Sequence, residues 1–208
     1  MKRAADIVRE YGPFPDVAQI GGVTYDGANV WFAASGSLRA FDPESGKAVR
    51  SLDVPAYAGT AYDGRHLYQI GGDRILKVDP DTGTIVASIP TPEGGASGMA
   101  WADGSLWVGD YKGRKIHQVD PATGAILRTI ESNRFVTGVS WVDDELWHAT
   151  WEDEQSELRR IDPKSGEVYE QLMMPPGVTI SGLESNGADI FYCGGGNSGK
   201  VRAVRKPG

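Results

Sequence analysis

The chain has 208 residues, 40% hydrophobic and 24% charged, which is typical of a soluble globular domain that buries its own core. A net charge of -7 and the lack of a basic stripe argue against binding to nucleic acid. No apolar run approaches the roughly 18 residues that cross a bilayer, so we expect no membrane insertion.

The cellular compartment is suggested by the cysteine count and by the first residues. Cys193 is the single cysteine, which excludes an internal disulfide and fits a reducing compartment. The start, "MKRAADIVREYG", lacks the apolar stretch of a secretory signal. We therefore expect a cytoplasmic protein, with an exported protein whose leader has been removed as the alternative.

Short alternating apolar runs, separated by Gly and Asp-Gly, follow one another along the chain and predict an all-β fold. A longer unit repeats: a glycine, two apolar strands, a third strand ending in Asp-Pro-x-[Ser/Thr]-Gly, and a last strand. A period of roughly 40 residues with four short strands per unit is typical of a β-propeller blade. Five copies open at Gly22, Gly59, Gly98, Gly138 and Gly182.

The fifth copy stops after its third strand, so its fourth strand must come from elsewhere. Residues 5–15, "ADIVREYGPFP", are similar to the fourth strand of other copies, such as "KAVRSLDVP". We predict that a strand at about residues 5–12 completes the last blade and removes the open edge between first and last blades. The prediction is one domain, residues 1–208: a five-bladed β-propeller with four antiparallel strands per blade.

Four aspartates of the repeated turn could be mistaken for calcium ligands: Asp42, Asp79, Asp120 and Asp162. The neighbouring proline presets φ for a tight turn, and the later glycine accepts positive φ. A calcium loop would need several oxygen ligands converging from one segment. We therefore interpret these aspartates as turn residues.

Loop lengths differ between the two faces of the predicted propeller. The first-to-second and third-to-fourth strand turns keep a constant length, whereas the second-to-third connections lengthen in blades 3 to 5, as "DYKGRK", "TWEDEQSE" and "GGGNSGK". Functional residues are commonly carried by loops on a rigid scaffold, so the pattern favours a site on this variable face, at the mouth of the central channel. Neutral drift of surface loops is the alternative.

Glu184 departs from the pattern of the innermost strands. The third position of that strand is Thr24, Ala61, Ala100 and Ser140 in the other four copies. A carboxyl among small, enclosed residues is a candidate for a shifted pKa and for acid/base chemistry. Alternatively, an irregular last blade leaves Glu184 in solvent, or an arginine neutralises it.

Further candidates lie at the ends of strands on the variable face. His148 could supply a base, although a lone histidine is more often structural, and Trp151 a stacking surface. The histidines lack metal-ligand spacing, so we predict no metal and no cofactor, with a divalent cation in the channel as the alternative. The remaining predicted substrate-binding residues are Tyr111, Phe135, Tyr57, Asp110 and Ser181.

The segment "LWVGDYKGRKIHQVDPATGAILRTI" resembles units of small bacterial propellers, a group that includes plant-type glutaminyl cyclotransferases, virginiamycin B lyase-like proteins and YVTN-repeat proteins. The cyclotransferase resemblance implies conversion of amino-terminal glutamine to pyroglutamate in a channel-mouth pocket with acidic and aromatic side chains. That family has a Glu-Ser-Thr-Gly stretch after a second strand, whereas "ESNG" at 184–187 precedes one here. The lyase-like relatives use a histidine and glutamate pair with magnesium, and no such pair is evident.

The expected function is therefore an enzyme of cyclotransferase or lyase type that processes a small molecule or a peptide amino terminus by acid/base chemistry. The alternative is a non-catalytic propeller that binds a ligand or a protein through its variable face. We expect a monomer.

Overall fold

The computed structural model describes residues 1–208, which form five β-sheets arranged in a ring and no helix. Consequently no helix is available that could span a bilayer. The strands, in chain order, are β1 (Lys2–Ala4), β2 (Ile7–Tyr11), β3 (Val23–Tyr25), β4 (Val30–Ala34), β5 (Ser37–Phe41), β6 (Ala48–Leu52), β7 (Thr60–Tyr62), β8 (Leu67–Ile70), β9 (Arg74–Val78), β10 (Ile85–Pro90), β11 (Ala96–Ala102), β12 (Ser105–Asp110), β13 (Lys115–Val119), β14 (Ile126–Glu131), β15 (Phe135–Val142), β16 (Glu145–Glu152), β17 (Gln155–Ile161), β18 (Val168–Met173), β19 (Gly182–Ser185), β20 (Ile190–Gly194) and β21 (Val201–Arg205).

Each sheet is one blade, and the chain closes the ring as predicted. Blades 1 to 4 start at β3, β7, β11 and β15, and blade 5 has the order β19-β20-β21-β2. Strand β2 pairs antiparallel with β21, with Tyr11 opposite Val201. One strand was not predicted: β1 pairs in parallel with β18, with Lys2 opposite Gln171, and gives blade 4 a fifth strand.

The opening glycines form a closed ring around the channel. A Cβ added at any of the five would lie 2.4 to 2.8 Å from backbone atoms at the start of the next blade. Backbone hydrogen bonds cross the same junctions, for example from Gly22 N to the Ala58 carbonyl at 3.0 Å. The repeat therefore begins with glycine because only a residue without a side chain allows the five inner strands to approach this closely.

The hydrophobic core is divided among the five junctions between blades. Each buried cluster joins side chains of two adjacent blades. Where blades splay apart, aromatic residues of the inner strand fill the space: Trp141 stacks on Trp107 of the preceding blade at 5.1 Å between ring centroids, and Trp101 stacks on Tyr68 at 5.4 Å. These contacts hold the inner strands, and therefore the channel, in place.

The repeated turns adopt the predicted structure. In the fourth blade the Asp162 carboxylate accepts hydrogen bonds from the backbone N–H groups of Lys164 and Ser165 and from the Tyr169 hydroxyl, which lowers the pKa of Asp162 to about 2. Gly166 takes a φ of +77° and its N–H donates to the Asp162 carbonyl at 2.9 Å. The aspartate oxygens are committed to the turn itself, in keeping with a role in the scaffold.

Candidate functional site

A cavity of about 480 Å³ lies at one mouth of the channel, on the face that carries the variable loops. Its floor consists of residues that directly precede the opening glycines, so all five blades contribute: Gly21, Ala58, Ser97, Thr137 and Ser181. The second-to-third connections of blades 3 and 5 supply Tyr111, Lys112, Gly196 and Asn197. The volume is within the range of small-molecule pockets.

Four of the predicted substrate-binding residues line this cavity: Trp151, Tyr111, Tyr57 and Ser181. Tyr57 is 60% exposed and stands at the rim. The Ser181 hydroxyl donates to the Ile20 and Gly21 carbonyls, at 2.7 and 2.9 Å, so it holds the wall rather than facing a ligand with a free donor.

Phe135 lies behind the lining rather than within it. Its ring stacks on that of Tyr111, with centroids 4.8 Å apart and planes 17° apart. The Arg114 guanidinium lies 4.2 Å from the same ring, and Trp151 is the cross-strand partner of Phe135. Phe135 thus fixes the orientation of two aromatic side chains that form the cavity wall.

Asp110 is also placed behind the cavity. Its side chain is buried between blades 2 and 3, where the Gly113 N–H donates to it at 2.8 Å and His117 Nε2 lies 4.0 Å away. A Cβ at Gly94 or Gly113 would come within 2.4 Å of the carboxylate, so both glycines are required for its position. Asp110 orders the loop that presents Tyr111 and Lys112.

Glu184 lies on the channel axis and receives hydrogen bonds from three blades. Thr24 Oγ1 of blade 1 donates at 3.0 Å, Ser140 Oγ of blade 4 at 2.8 Å, and the Ser185 N–H of its own blade at 2.8 Å. No arginine neutralises it: none of the ion pairs in the structure includes Glu184. Burial raises the pKa of Glu184 to about 7, although the three hydrogen bonds favour the ionised form.

The glycine ring separates Glu184 from the floor of the cavity. Ser181 lines the floor and Glu184 follows three residues later on the same extended segment, a rise of about 10 Å along the channel. Glu184 does not itself line the cavity, yet it retains partial exposure to solvent-sized space. The residue is therefore half-buried, and its carboxyl is held by hydrogen bonds from the protein.

His148 occupies a different part of the protein. It faces blade 3 from strand β16, is 1% exposed, and lines a separate cavity of about 330 Å³ with Arg159 and Asn133. Neither ring nitrogen has a hydrogen-bond partner, and burial lowers the pKa of His148 to about 3. The two predicted catalytic residues, His148 and Glu184, share no hydrogen bond.

Two further features concern the absence of a metal site and the single thiol. Nowhere do three or more His, Cys, Asp or Glu side chains come together as a metal site would require. Cys193 is fully buried in an apolar cluster, and burial raises the pKa of its thiol. It behaves as a packed hydrophobic residue.

Several residues of the site were not proposed from the sequence as functional. Thr24 and Ser140 had been noticed only as small residues, although their hydroxyls were a signal: the blades that flank blade 5 carry hydroxyls, and the two distant blades carry Ala61 and Ala100. Lys112 and Thr137 were missed altogether, because nothing in the repeat distinguishes a loop lysine that faces the cavity from one that faces solvent.

Comparison with known proteins supports the fold. The sequence model of the family described as outer membrane protein assembly factor BamB matches residues 34–168 and, in a second alignment, residues 71–207. No curated protein sequence matches the chain.

Solved structures share the architecture at low sequence identity. The glutaminyl cyclase of Myxococcus xanthus is 18% identical with a TM-score of 0.81, over 98% of this chain and 97% of that chain. The WD40 propeller domain of Doa1 is 11% identical (TM-score 0.58; 98% and 97% covered), and the virginiamycin B lyase of Staphylococcus aureus 16% (TM-score 0.56; 96% and 70%). The resemblance to cyclotransferase-like and lyase-like propellers is thus confirmed at the level of the fold, which this chain shares with enzymes.

Proposed function

We propose that this chain, which belongs to the family described as outer membrane protein assembly factor BamB, is an enzyme that processes a small molecule or a peptide amino terminus at the channel mouth. The observation that carries the proposal is Glu184, a half-buried carboxyl that joins three blades at the channel and whose pKa is raised to about 7. Such a group can both accept and donate a proton near neutral pH.

The two candidate reactions need a group of this kind. In glutaminyl cyclisation the α-amine attacks the side-chain amide carbon, a C–N bond closes the lactam, and the original amide C–N bond breaks to release ammonia. A single carboxyl can take the proton from the attacking amine and return it to the departing nitrogen. An elimination likewise needs a base that removes a proton from carbon and an acid that protonates the leaving group.

The cavity supports the binding part of the proposal. Tyr111 and Trp151 provide flat, partly apolar walls, and Phe135 holds both in place. These aromatic walls suit an apolar or planar portion of a ligand. The ligand would have to extend past the glycine ring toward Glu184, a rise of about 10 Å from the floor residue Ser181.

A non-catalytic binding module is the second candidate, and a separate observation favours it. Glu184 does not line the cavity, and it joins blades 1, 4 and 5 through its hydrogen bonds. In that case the cavity binds a ligand and Glu184 only holds the ring together.

Turnover separates the two candidates. Wild type, Glu184→Gln and Glu184→Asp would be incubated with glutaminyl peptides and with lactones, and ammonia release and product mass would be followed. We expect turnover in wild type, loss of at least about 100-fold in kcat for Glu184→Gln, and partial recovery in Glu184→Asp. Ligand binding without turnover in wild type, or full activity of a folded Glu184→Gln variant, would favour the binding module.

A further inference from the structure

The cavity at the channel mouth has a charge that differs from that of the whole chain. Sixteen residues line it, and none is Asp, Glu or His. Lys112 is the one charged residue among them. In a protein with a net charge of -7, the ligand-sized cavity of the variable face is therefore neutral to positive.

Lys112 makes no ion pair, although its neighbours in the chain do. Arg114 pairs with Glu152 at 3.0 Å, and Lys115 pairs with Glu131 at 3.5 Å. The Lys112 ammonium group makes neither a salt bridge nor a hydrogen bond within the protein. A free cation beside a cavity without carboxylates can serve as the counter-ion of a bound anion.

Other polar groups of the lining are also free to bind a ligand. Thr137 Oγ1 is buried and has no hydrogen-bond partner. The side-chain amides of Gln19 and Asn197 line the cavity and make no hydrogen bond within the protein. The two amides can bind polar ligand atoms, whereas the buried Thr137 hydroxyl is closed off from the cavity.

From the charge and the unpaired polar groups of the lining we infer that the cavity recognises a ligand that carries a carboxylate next to a planar group. Lys112 pairs with the carboxylate, Asn197 donates to polar atoms, and Tyr111 and Trp151 contact the planar part. A cationic group placed within this cavity is disfavoured, because no carboxylate lines it. The inference rests on the proposed function only in placing the ligand at this cavity.

The test uses three probes with the same ring and different charge: phenylacetate, phenylacetamide and phenethylamine, titrated by calorimetry. We expect phenylacetate to bind at least about fivefold more tightly than phenylacetamide at low salt, with phenethylamine weakest, and the preference to shrink as salt is added. Lys112→Gln should abolish the preference. Lys115→Gln, which removes a nearby cation outside the cavity, should retain it.

A second arm tells a free carboxylate ligand from an acidic peptide. Glutaminyl peptides with Glu, Gln or Lys at the second position would be compared by kcat/KM in wild type and in Lys112→Gln. Preference for Glu that depends on Lys112 indicates an acidic peptide, whereas phenylacetate selectivity without it indicates a small carboxylate.

Failure of the inference and failure of the proposed function look different. Equal binding of phenylacetate and phenylacetamide, the same selectivity in Lys112→Gln as in wild type, or no binding of any probe at millimolar concentration overturns the inference. Absence of turnover with intact phenylacetate selectivity contradicts the enzymatic proposal alone.

Discussion

Replacing Glu184 by glutamine should make the protein more stable at alkaline pH and leave its stability nearly unchanged in acid. The wild-type carboxyl has its pKa raised from 4.5 to about 7 in the folded state. Between these two values the folded state holds a proton that the unfolded state releases, so stability falls as pH rises through this range. Glutamine cannot ionise, and the variant lacks this dependence.

The magnitude follows from the shift. Raising a pKa from 4.5 to about 7 corresponds to about 3 kcal/mol, the stability lost by wild type between the two pH values. Below about pH 4.5 the neutral carboxyl and the amide should differ little. Above pH 7 the variant should exceed wild type by up to about 3 kcal/mol, or roughly 6–12 °C in Tm for a domain of this size.

The measurement is urea unfolding followed by tryptophan fluorescence at pH 4.5, 6, 7 and 8. At each pH the free energy of unfolding of the variant is subtracted from that of wild type, so that the contributions of other titrating groups cancel. Ser140→Ala provides a control, because the Ser140 hydrogen bond lowers the pKa of Glu184. Removing this bond should move the transition to higher pH and enlarge the difference. A difference between wild type and Glu184→Gln that is independent of pH, or a variant less stable at pH 8, would show that ionisation of Glu184 does not destabilise the folded state.

Two further substitutions test the ring and the buried histidine. Gly98→Ala should destabilise the folded protein by about 3 kcal/mol or prevent folding, because the added Cβ would lie 2.4 Å from Gly138 Cα. Gly27→Ala is the control: Gly27 has a φ of +96° but open space around it, so the change should cost only about 1 kcal/mol in the same urea assay. His148→Phe should stabilise the folded protein by about 1 kcal/mol at neutral pH, because it removes two buried ring nitrogens that have no hydrogen-bond partner. A phenylalanine fits this position in a blade, since Phe32 occupies the equivalent place in blade 1. Loss of turnover in a stable His148→Phe variant would instead indicate a catalytic role.

The architecture could be predicted because its determinants are local and repeated. The Asp-Pro-x-x-Gly turn uses φ preferences of single residues, and the strands alternate between the two sides of a blade. The missing fourth strand of the last copy and the strand-like residues 5–12 indicate the same closure, which the pairing of Tyr11 with Val201 confirms. Such features recur in every blade, so each copy checks the others.

Features that occur once could not be predicted in this way. The parallel pairing of Lys2–Ala4 with β18 occurs once, before the chain reaches blade 5, and no repeated sequence pattern predicts it. The placement of His148 and Trp151 in different cavities depends on strand register, because residues an odd number apart face opposite sides of a blade. His148 and Trp151 are close in the sequence, but the alternation of side chains along the strand places them on opposite sides of the blade.

The fold of the ring does not require the carboxyl of Glu184. Blades 2 and 3 place Ala61 and Ala100 at this axial position, so the ring does not require a carboxyl there. The surrounding hydroxyls moderate the cost of the charge without removing it, since the pKa remains near 7. The ionised carboxyl costs the folded state free energy, and this same cost raises the pKa, so that about half of the Glu184 side chains are protonated at neutral pH. Stabilisation of the ring does not explain a carboxyl that costs the folded state free energy when it ionises, and this supports the proposal that Glu184 transfers protons.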